Sequence, residues 1–349
     1  MKSNPKHESG TVTIQMIAKL ANVSHTTVSR ALNGSDSVKP ATKKKIVDLA
    51  NELGYVPNYS ARRLVTNRSD TIGIFFSDLE TGTSASFLTE VIEQAQRMLP
   101  KQYSLSINSI RTAWESGKVS VSNFDGVIVI SQSREDQQFI DQIKQQGIPT
   151  VILNRKVEGG TLDNYAFNDF LGEQMATGYA IRMGHRKFAL IKGVNSFESS
   201  YQRTMGFQKA LANHQIEIDP AMIKEGDYFP ESGNRLMRQI LSSGQVPTCV
   251  ICENDDMAIG ALNACSDLGY RVPEDISLIG FDDMSYSKYL TPSLTTVRKL
   301  TAVLVKKGIE RLTQLIQGET FATPVQEVIN PEVIVRASVK RLARGESVN

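Results

Sequence analysis

Small hydrogen-bonding side chains and one basic residue are concentrated between positions 24 and 30. Hydroxyl, imidazole and guanidinium groups can hydrogen-bond to base edges and phosphates of DNA. The candidate contact residues are Ser24, His25, Thr26, Thr27, Ser29 and Arg30. They can act together only if they share one exposed face near the start of a helix. The flanking sequence must therefore supply that helix and a support for it.

Apolar residues at helical spacing predict two short helices separated by a turn at Asn22-Val23. Thr13 and Ser24 stand where N-caps are expected. A third helix is predicted from Pro40 to Gly54. The inward positions are Ile14, Ile17, Ala18 and Ala21, then Val28, Ala31 and Leu32, then Ile46, Leu49, Ala50 and Leu53. The pattern favours a helix-turn-helix in residues 11–57, with a plain three-helix bundle as the alternative.

The charge distribution favours the DNA-binding interpretation. Residues 1–70 contain 11 Lys and Arg against 5 Asp and Glu, a net charge of +6. The whole chain carries +2, so residues 71–349 carry −4. Positive charge is thus concentrated on the small N-terminal part, as neutralisation of phosphates requires.

Two motifs follow the third helix: Leu-Gly-Tyr-Val-Pro-Asn at 53–58 and Ala-Arg-Arg-Leu at 61–64. Together with Thr-Val-Ser-Arg-Ala-Leu-Asn at 27–33, they resemble the lactose/galactose repressor (LacI/GalR) family. The resemblance implies that 58–70 contain a hinge helix that forms on the operator, with Leu64 as a wedge in the minor groove. It implies base reading by His25 and Thr26. The further DNA contacts that we predict are Thr13, Asn33, Tyr55, Asn58, Ala61 and Arg62.

The rest of the chain alternates short apolar strands with helices, which predicts α/β architecture with parallel sheets covered on both faces. Such sheets bind ligands at the carboxyl ends of their strands. The resemblance implies a core at 71–340 that is similar to periplasmic sugar-binding proteins. It places the N-lobe at 71–162 and 298–323, the C-lobe at 163–297 and 324–340, and the crossovers near 160–166, 283–297 and 320–328. Residues 1–10 and 341–349 are expected to be tails, the first of them disordered.

Composition excludes several classes of protein. No apolar run approaches 18 residues, and the polar N-terminus is unlike a secretory signal. Three cysteines are typical of a reducing cytoplasm, and Cys249 and Cys252 are expected to be buried in a strand rather than to bind zinc. We find no phosphate-binding glycine loop and no nucleophile–base pair. The sequence therefore predicts a cytoplasmic protein that is not an enzyme, with no cofactor, metal or membrane partner.

The family's effector contacts correspond to Phe87, Asn154, Arg155, Arg203, Tyr228, Asn254 and Asp282. Carboxylate, guanidinium and amide groups among aromatic faces could orient a sugar or a base. The segment 226–233 is similar to the purine repressor branch, but that branch has an arginine where this chain has Phe197. We therefore expect a carbohydrate-derived effector, and Arg155 leaves room for an anionic one such as a uronate or a sugar phosphate.

The resemblance implies a homodimeric repressor of carbohydrate genes that binds a palindromic operator and is switched by a small molecule between the lobes. The sequence does not say whether that molecule is an inducer or a corepressor. The alternative is a catabolite-control regulator that is switched mainly by a phosphorylated carrier protein.

Overall fold

The computed structural model of the protein describes residues 12–32, 35, 37–55, 68–80, 82–116, 123–157 and 159–342. The chain forms two compact units that divide between Asn67 and Arg68. Each unit has its own apolar core. None of the described helices is both long enough and apolar enough to cross a membrane.

The N-terminal unit contains three helices: α1 (Ile14–Ala21), α2 (His25–Leu32) and α3 (Pro40–Glu52). Thr13 caps α1 as predicted, because its side chain accepts a hydrogen bond from the Met16 amide. Ser24 caps α2 in the same way through the Thr27 amide. The buried residues are Ile17, Ala18, Ala21, Val28, Ala31, Val38, Ile46 and Ala50. The predicted inward faces are confirmed, although four of their residues are only half-buried: Ile14, Leu32, Leu49 and Leu53.

The core unit begins with a six-stranded parallel sheet in the order β11-β5-β4-β3-β1-β2. Its strands are β1 (Thr71–Phe76), β2 (Ser104–Ser109), β3 (Gly126–Ile130), β4 (Thr150–Asn154), β5 (Asp163–Phe167) and β11 (Gln326–Ile329). Strands β1, β3 and β4 are almost continuously apolar and buried, as a sheet covered on both faces requires. Helices cover it: α4 (Ala85–Met98), α5 (Ile110–Ser116), α6 (Gln137–Gln145) and α11 (Thr301–Ile316).

A second parallel sheet has the order β7-β6-β8-β9. Its strands are β6 (Phe188–Lys192), β7 (Ile223–Glu225), β8 (Cys249–Cys252) and β9 (Ser277–Ile279). Its helices are α7 (Asp169–Arg182), α8 (Glu198–Asn213), α9 (Pro230–Ser242) and α10 (Asp255–Asp267), which pack in the pairs α7–α8 and α9–α10. An antiparallel pair, β10 (Thr296–Arg298) and β12 (Glu332–Ile334), packs against α7. Cys249, Cys252 and Cys265 are free and buried, as expected for the first two.

The lobe limits differ from the prediction at three places. Strand β5 pairs with β4, and β11 pairs with β5, so 163–167 and 326–329 belong to the first sheet. The predicted limits assigned both segments to the C-lobe. Residue 298 lies in β10, which is beside α7 and not in the first sheet. The crossovers therefore follow β5, β10 and β11. Their positions depend on strand pairing, which the sequence pattern does not reveal. The sequence reading also missed α5, α11 and the strands β5, β7, β10, β11 and β12.

Candidate DNA-binding and effector sites

Helix α2 presents three polar side chains to solvent at its predicted contact face. His25, Thr26 and Arg30 are exposed, whereas Thr27 and Ser29 are half-buried. A hydrogen bond of 2.8 Å joins the hydroxyls of Ser24 and Thr27, so these two residues mainly order the helix start. His25 and Thr26 occupy the first two helical positions, where a recognition helix reads bases.

The other predicted DNA contacts divide into two groups. The exposed side chain of Thr13 serves as a helix cap, and the half-buried Tyr55 packs on the N-terminal core while its amide donates to the Ala50 carbonyl. The remaining five lie outside the described residues: Asn33, Asn58, Ala61, Arg62 and Leu64.

Six of the seven predicted effector contacts meet around one cavity between the two lobes. They are Phe87, Asn154, Arg203, Tyr228, Asn254 and Asp282. Gly82, Ser84, Gln132, Ser199 and Lys299 also line this cavity and were not predicted. The free volume that they enclose is about 30 Å³, well below the several hundred Å³ of an ordinary small-ligand pocket. A sugar-sized molecule would thus require the lobes or their side chains to separate.

Arg155 lies beside this cavity, in a wider opening of about 1090 Å³ that shares Gln132, Asn154 and Ser199 with it. The Nε of Arg155 donates to the Ser131 hydroxyl at 2.8 Å, and the residue is buried. Arg134 and Lys156 line the same opening. The wider opening, which we call the cleft mouth, is therefore lined by three basic side chains.

On the C-lobe side of the cavity, the polar side chains already form hydrogen bonds within the protein. Arg203 Nη2 lies 2.8 Å from Asp169 Oδ1, and its Nη1 donates to the Glu253 carbonyl. Asn254 caps α10 by accepting from the Met257 amide and donates to the Tyr228 carbonyl. Arg203 and Asn254 thus shape the wall, and most of their hydrogen-bonding capacity is used within the protein.

Asparagine side chains cap two helices of the C-lobe and leave the next carboxylate for other contacts. Asn168, not Asp169, caps α7, because it accepts from the Leu171 amide and leaves Asp169 for Arg203. Asn254, not Asp255, caps α10. Asp255 instead binds the Ser287 and Thr296 hydroxyls and the Met284 amide, and thereby fixes the segment that carries Asp282.

Asp282 offers the clearest unused acceptor in the cavity. Its Oδ1 is buried and has no hydrogen-bond partner within the described part of the chain. The nearest cationic atoms are Lys299 Nζ at 3.6 Å and Arg203 Nη2 at 3.7 Å. Burial raises the pKa of Asp282, while Lys299 and Arg203 oppose that rise. An oxygen placed this way can accept a hydrogen bond from a ligand hydroxyl.

Phe87 and Tyr228 supply aromatic walls, as predicted. Phe87 is buried and packs edge-on against Phe76, with ring centroids 6.4 Å apart. Tyr228 has a positive φ of 71° and stacks on Phe197. Burial, mainly, raises the pKa of the Tyr228 hydroxyl, so it remains a neutral hydrogen-bonding group.

Lys299 is the functional candidate that sequence reasoning missed. It follows β10 directly and lies in the crossover that leads to α11. A charged residue immediately after a strand is a recognisable signal, but neither β10 nor α11 had been predicted. Within the described ranges, no group of three or more His, Cys, Asp or Glu residues is arranged to hold a metal ion.

Comparisons with known proteins agree with this architecture. Residues 13–58 match the family described as "Bacterial regulatory proteins, lacI family", and residues 177–339 match a "Periplasmic binding protein-like domain". The chain is 45% identical over 332 residues to the "Probable HTH-type transcriptional repressor ExuR" of Bacillus subtilis, covering 95% of this chain and 99% of that protein.

Two solved structures extend the comparison. A lac repressor dimer bound to operator and the anti-inducer ONPF has a TM-score of 0.80 and 26% identity, over 95% of this chain and all of that chain. The transcriptional regulator CelR in complex with cellobiose has a TM-score of 0.68 and 27% identity, over 94% of this chain and 99% of that chain.

Proposed function

The chain belongs to the LacI family of bacterial DNA-binding transcriptional repressors, and we propose that it acts as a homodimer whose operator affinity is set by a carbohydrate-derived effector in the inter-lobe cavity. The observation that carries the effector proposal is the convergence of Asp282, Tyr228, Phe87 and Asn154 on one cavity. A buried acceptor flanked by aromatic walls suits a sugar ring with its hydroxyls.

DNA contact is assigned to two regions of the N-terminal unit. His25, Thr26 and Arg30 are the exposed side chains that α2 offers to base edges and phosphates. Leu64, outside the described residues, is assigned by family resemblance to the minor groove. Two copies of the unit on a palindromic site would match the twofold symmetry of a dimer.

The switch is assigned to contacts that cross between the lobes. On one side of the cavity, Arg134 Nε lies 2.7 Å from Glu198 Oε2, and the Glu198 amide donates to the Gln132 carbonyl. On the other side, the Ser86 hydroxyl donates to Asp256 Oδ1 at 3.0 Å. A ligand that widens the cavity must strain or break these contacts, so its binding free energy is coupled to the lobe arrangement. The sign of the resulting change in operator affinity distinguishes an inducer from a corepressor.

The test starts from DNA sites selected by the full-length protein from a random pool and confirmed by footprinting. Operator affinity is then measured by fluorescence anisotropy with a panel of sugars, and coupling of about 1–3 kcal/mol would change it about 5–150-fold. If no sugar changes the affinity but a phosphorylated carrier protein does, the catabolite-control alternative holds. Equal affinity for selected and random DNA at physiological salt would contradict the whole proposal.

A further inference from the structure

The buried ammonium of Lys299 faces the cavity between the lobes and is one of its lining groups. We propose that Lys299, supported by Arg155 at the cleft mouth, makes this site selective for an acidic sugar over its neutral counterpart. This inference rests on the proposed carbohydrate effector and specifies its charge. Lys299 thereby becomes a specificity-determining residue of the site.

Two aromatic rings hold the ammonium in place. Lys299 Nζ lies 4.6 Å from the centroid of Phe87 and 4.7 Å from that of Phe167. At such distances the negative faces of the rings attract the cation. The side chain is only 5% exposed, so this charge lies in the protein interior and not at the surface.

The polar partners of Lys299 are long for a charged group. Asn154 Oδ1 is 3.5 Å and Asp282 Oδ1 is 3.6 Å from Nζ, whereas charge-assisted hydrogen bonds measure about 2.7–2.9 Å. An ammonium has three protons to donate. A ligand oxygen at ordinary distance would therefore improve the solvation of Lys299, and a negatively charged oxygen would improve it most.

The carboxylates nearest to Lys299 are also engaged elsewhere. Asp282 Oδ1 is shared between Lys299 at 3.6 Å and Arg203 at 3.7 Å, and Asp169 is held by Arg203 at 2.8 Å. Glu90 is also near, but burial raises its pKa to about 7, so near neutral pH it is only partly ionised. At the cleft mouth, Arg155 and Lys156 add positive charge, whereas Arg134 is paired with Glu198. A carboxylate or phosphate on the sugar would give Lys299 a partner at ordinary distance, with sugar hydroxyls left for Asp282.

The proposal predicts different responses to matched ligands. Calorimetry with the full-length protein compares D-glucose with D-glucuronate, and D-galactose with D-galacturonate. Glucose 6-phosphate and galactose 6-phosphate are titrated in parallel, because the same cationic pair could receive either acidic group. We expect at least one acid to bind about tenfold or more tightly than its neutral partner, as a charged hydrogen bond would give.

Substitution then assigns the preference to Lys299. Lys299→Gln should remove most of it, weakening the acid about 10–100-fold and leaving the neutral sugar nearly unchanged. Lys306→Gln is the matched control, since Lys306 is an exposed lysine on α11. Thermal melting checks that both variants fold. If Lys299→Gln does not fold, Lys299→Arg serves as the second variant. Because it keeps the positive charge, it should retain the preference for the acid.

Each outcome decides between distinct statements. Tighter binding of uronates than of sugar phosphates assigns a carboxylate, and the reverse assigns a phosphate. Neutral sugars that bind as tightly as the acids to the unsubstituted protein overturn the charge-selectivity inference but leave the carbohydrate effector standing. An acid preference that survives Lys299→Gln overturns the role of Lys299. Absence of binding by every sugar tested rejects both the inference and the proposed effector class.

Discussion

The rings of Phe197 and Tyr228 stack with centroids 5.9 Å apart and planes 21° apart. Phe197 immediately precedes α8, and Tyr228 lies in the segment before α9. A Cβ on Gly82, in the other lobe, would come within 2.6 Å of Phe197 Cζ, so the Phe197 ring contacts both lobes. The position that carries an arginine in the purine repressor branch here places a buried ring against Tyr228, which lines the cavity.

Replacing Phe197 should lower the stability of the core. Phe197 is 6% exposed, and truncating a buried phenylalanine typically costs about 3–5 kcal/mol. We expect Phe197→Ala to lower the thermal midpoint by several degrees in a calorimetric or fluorescence melt. Tyr201→Ala is the control, because Tyr201 is on α8 but 53% exposed. Equal shifts for both variants would contradict the buried packing that we assign to Phe197.

Asp282→Asn should abolish the response to effector and spare binding to DNA. The substitution keeps the shape of the side chain but weakens an acceptor that we assign to ligand hydroxyls, so affinity for the sugar should fall about 10–100-fold. Anisotropy with the selected operator measures both quantities. Asp267→Asn, which removes an exposed charge paired with Arg238, should change neither. Normal switching in Asp282→Asn would point to a controlling partner that does not use the cavity.

His25→Ala and Thr26→Ala should relax sequence specificity. Each lost base contact is worth about 1–3 kcal/mol, so operator affinity should fall about 5–150-fold while affinity for random DNA changes little. Asn51→Ala is the control, since Asn51 is exposed on α3 and outside α2. Competition binding with selected and random duplexes distinguishes the variants. A parallel loss for both duplexes would assign these residues to phosphates rather than bases.

The buried carboxyl groups of the C-lobe should make stability depend on pH. Burial and the neighbouring Glu253 raise the pKa of Glu173 well above its ordinary value, and burial raises the pKa of Glu253 to about 7. The folded protein thus holds protons that the unfolded chain releases above about pH 4.3. Folding stability should therefore decrease as pH rises from about 4.3 through neutrality.

Glu173→Gln tests this dependence, because a glutamine cannot ionise. We expect the thermal midpoint of the variant to change less with pH than that of the unsubstituted protein. The comparison is made between about pH 5.5 and about pH 8, where the raised pKa values make stability depend on pH. Glu319→Gln, at an exposed position after α11, should retain the full dependence. If Glu173→Gln and Glu319→Gln respond alike to pH, Glu173 is not the source of the effect.

The sequence predicted most elements that have a local signal. Helices α1–α3 were predicted from apolar periodicity and caps. The alternation of strands and helices in the core was predicted from short apolar runs, such as those that form β1, β3 and β4. Helix α11 was missed even though its apolar positions recur at helical spacing. Strands β10 and β12 have three residues each, too few for a pattern to stand out. Their existence depends on pairing between segments more than thirty residues apart.

The effector cavity shows the same division between local and long-range information. Family resemblance identified six of the residues that line it and Arg155 beside it, whereas Lys299 could not be identified before the crossover was known. Residue types alone do not indicate which hydrogen bonds Arg203 and Asn254 form within the protein. Arg203 binds Asp169 and the Glu253 carbonyl. Asn254 binds the Tyr228 carbonyl and the Met257 amide. Whether a polar group is available to a ligand depends on its neighbours in space.

The order of amino acids by itself determined the helix-turn-helix, the clustering of positive charge before residue 70 and the alternating α/β pattern, because each follows from contacts or composition within a short stretch. Only the tertiary structure decided where the lobes divide and which charges share the cavity. Asn154, Asp282 and Lys299 come from distant parts of the chain. Strand pairing and the crossovers bring these residues together. They thereby determine which charges the cavity presents to a ligand.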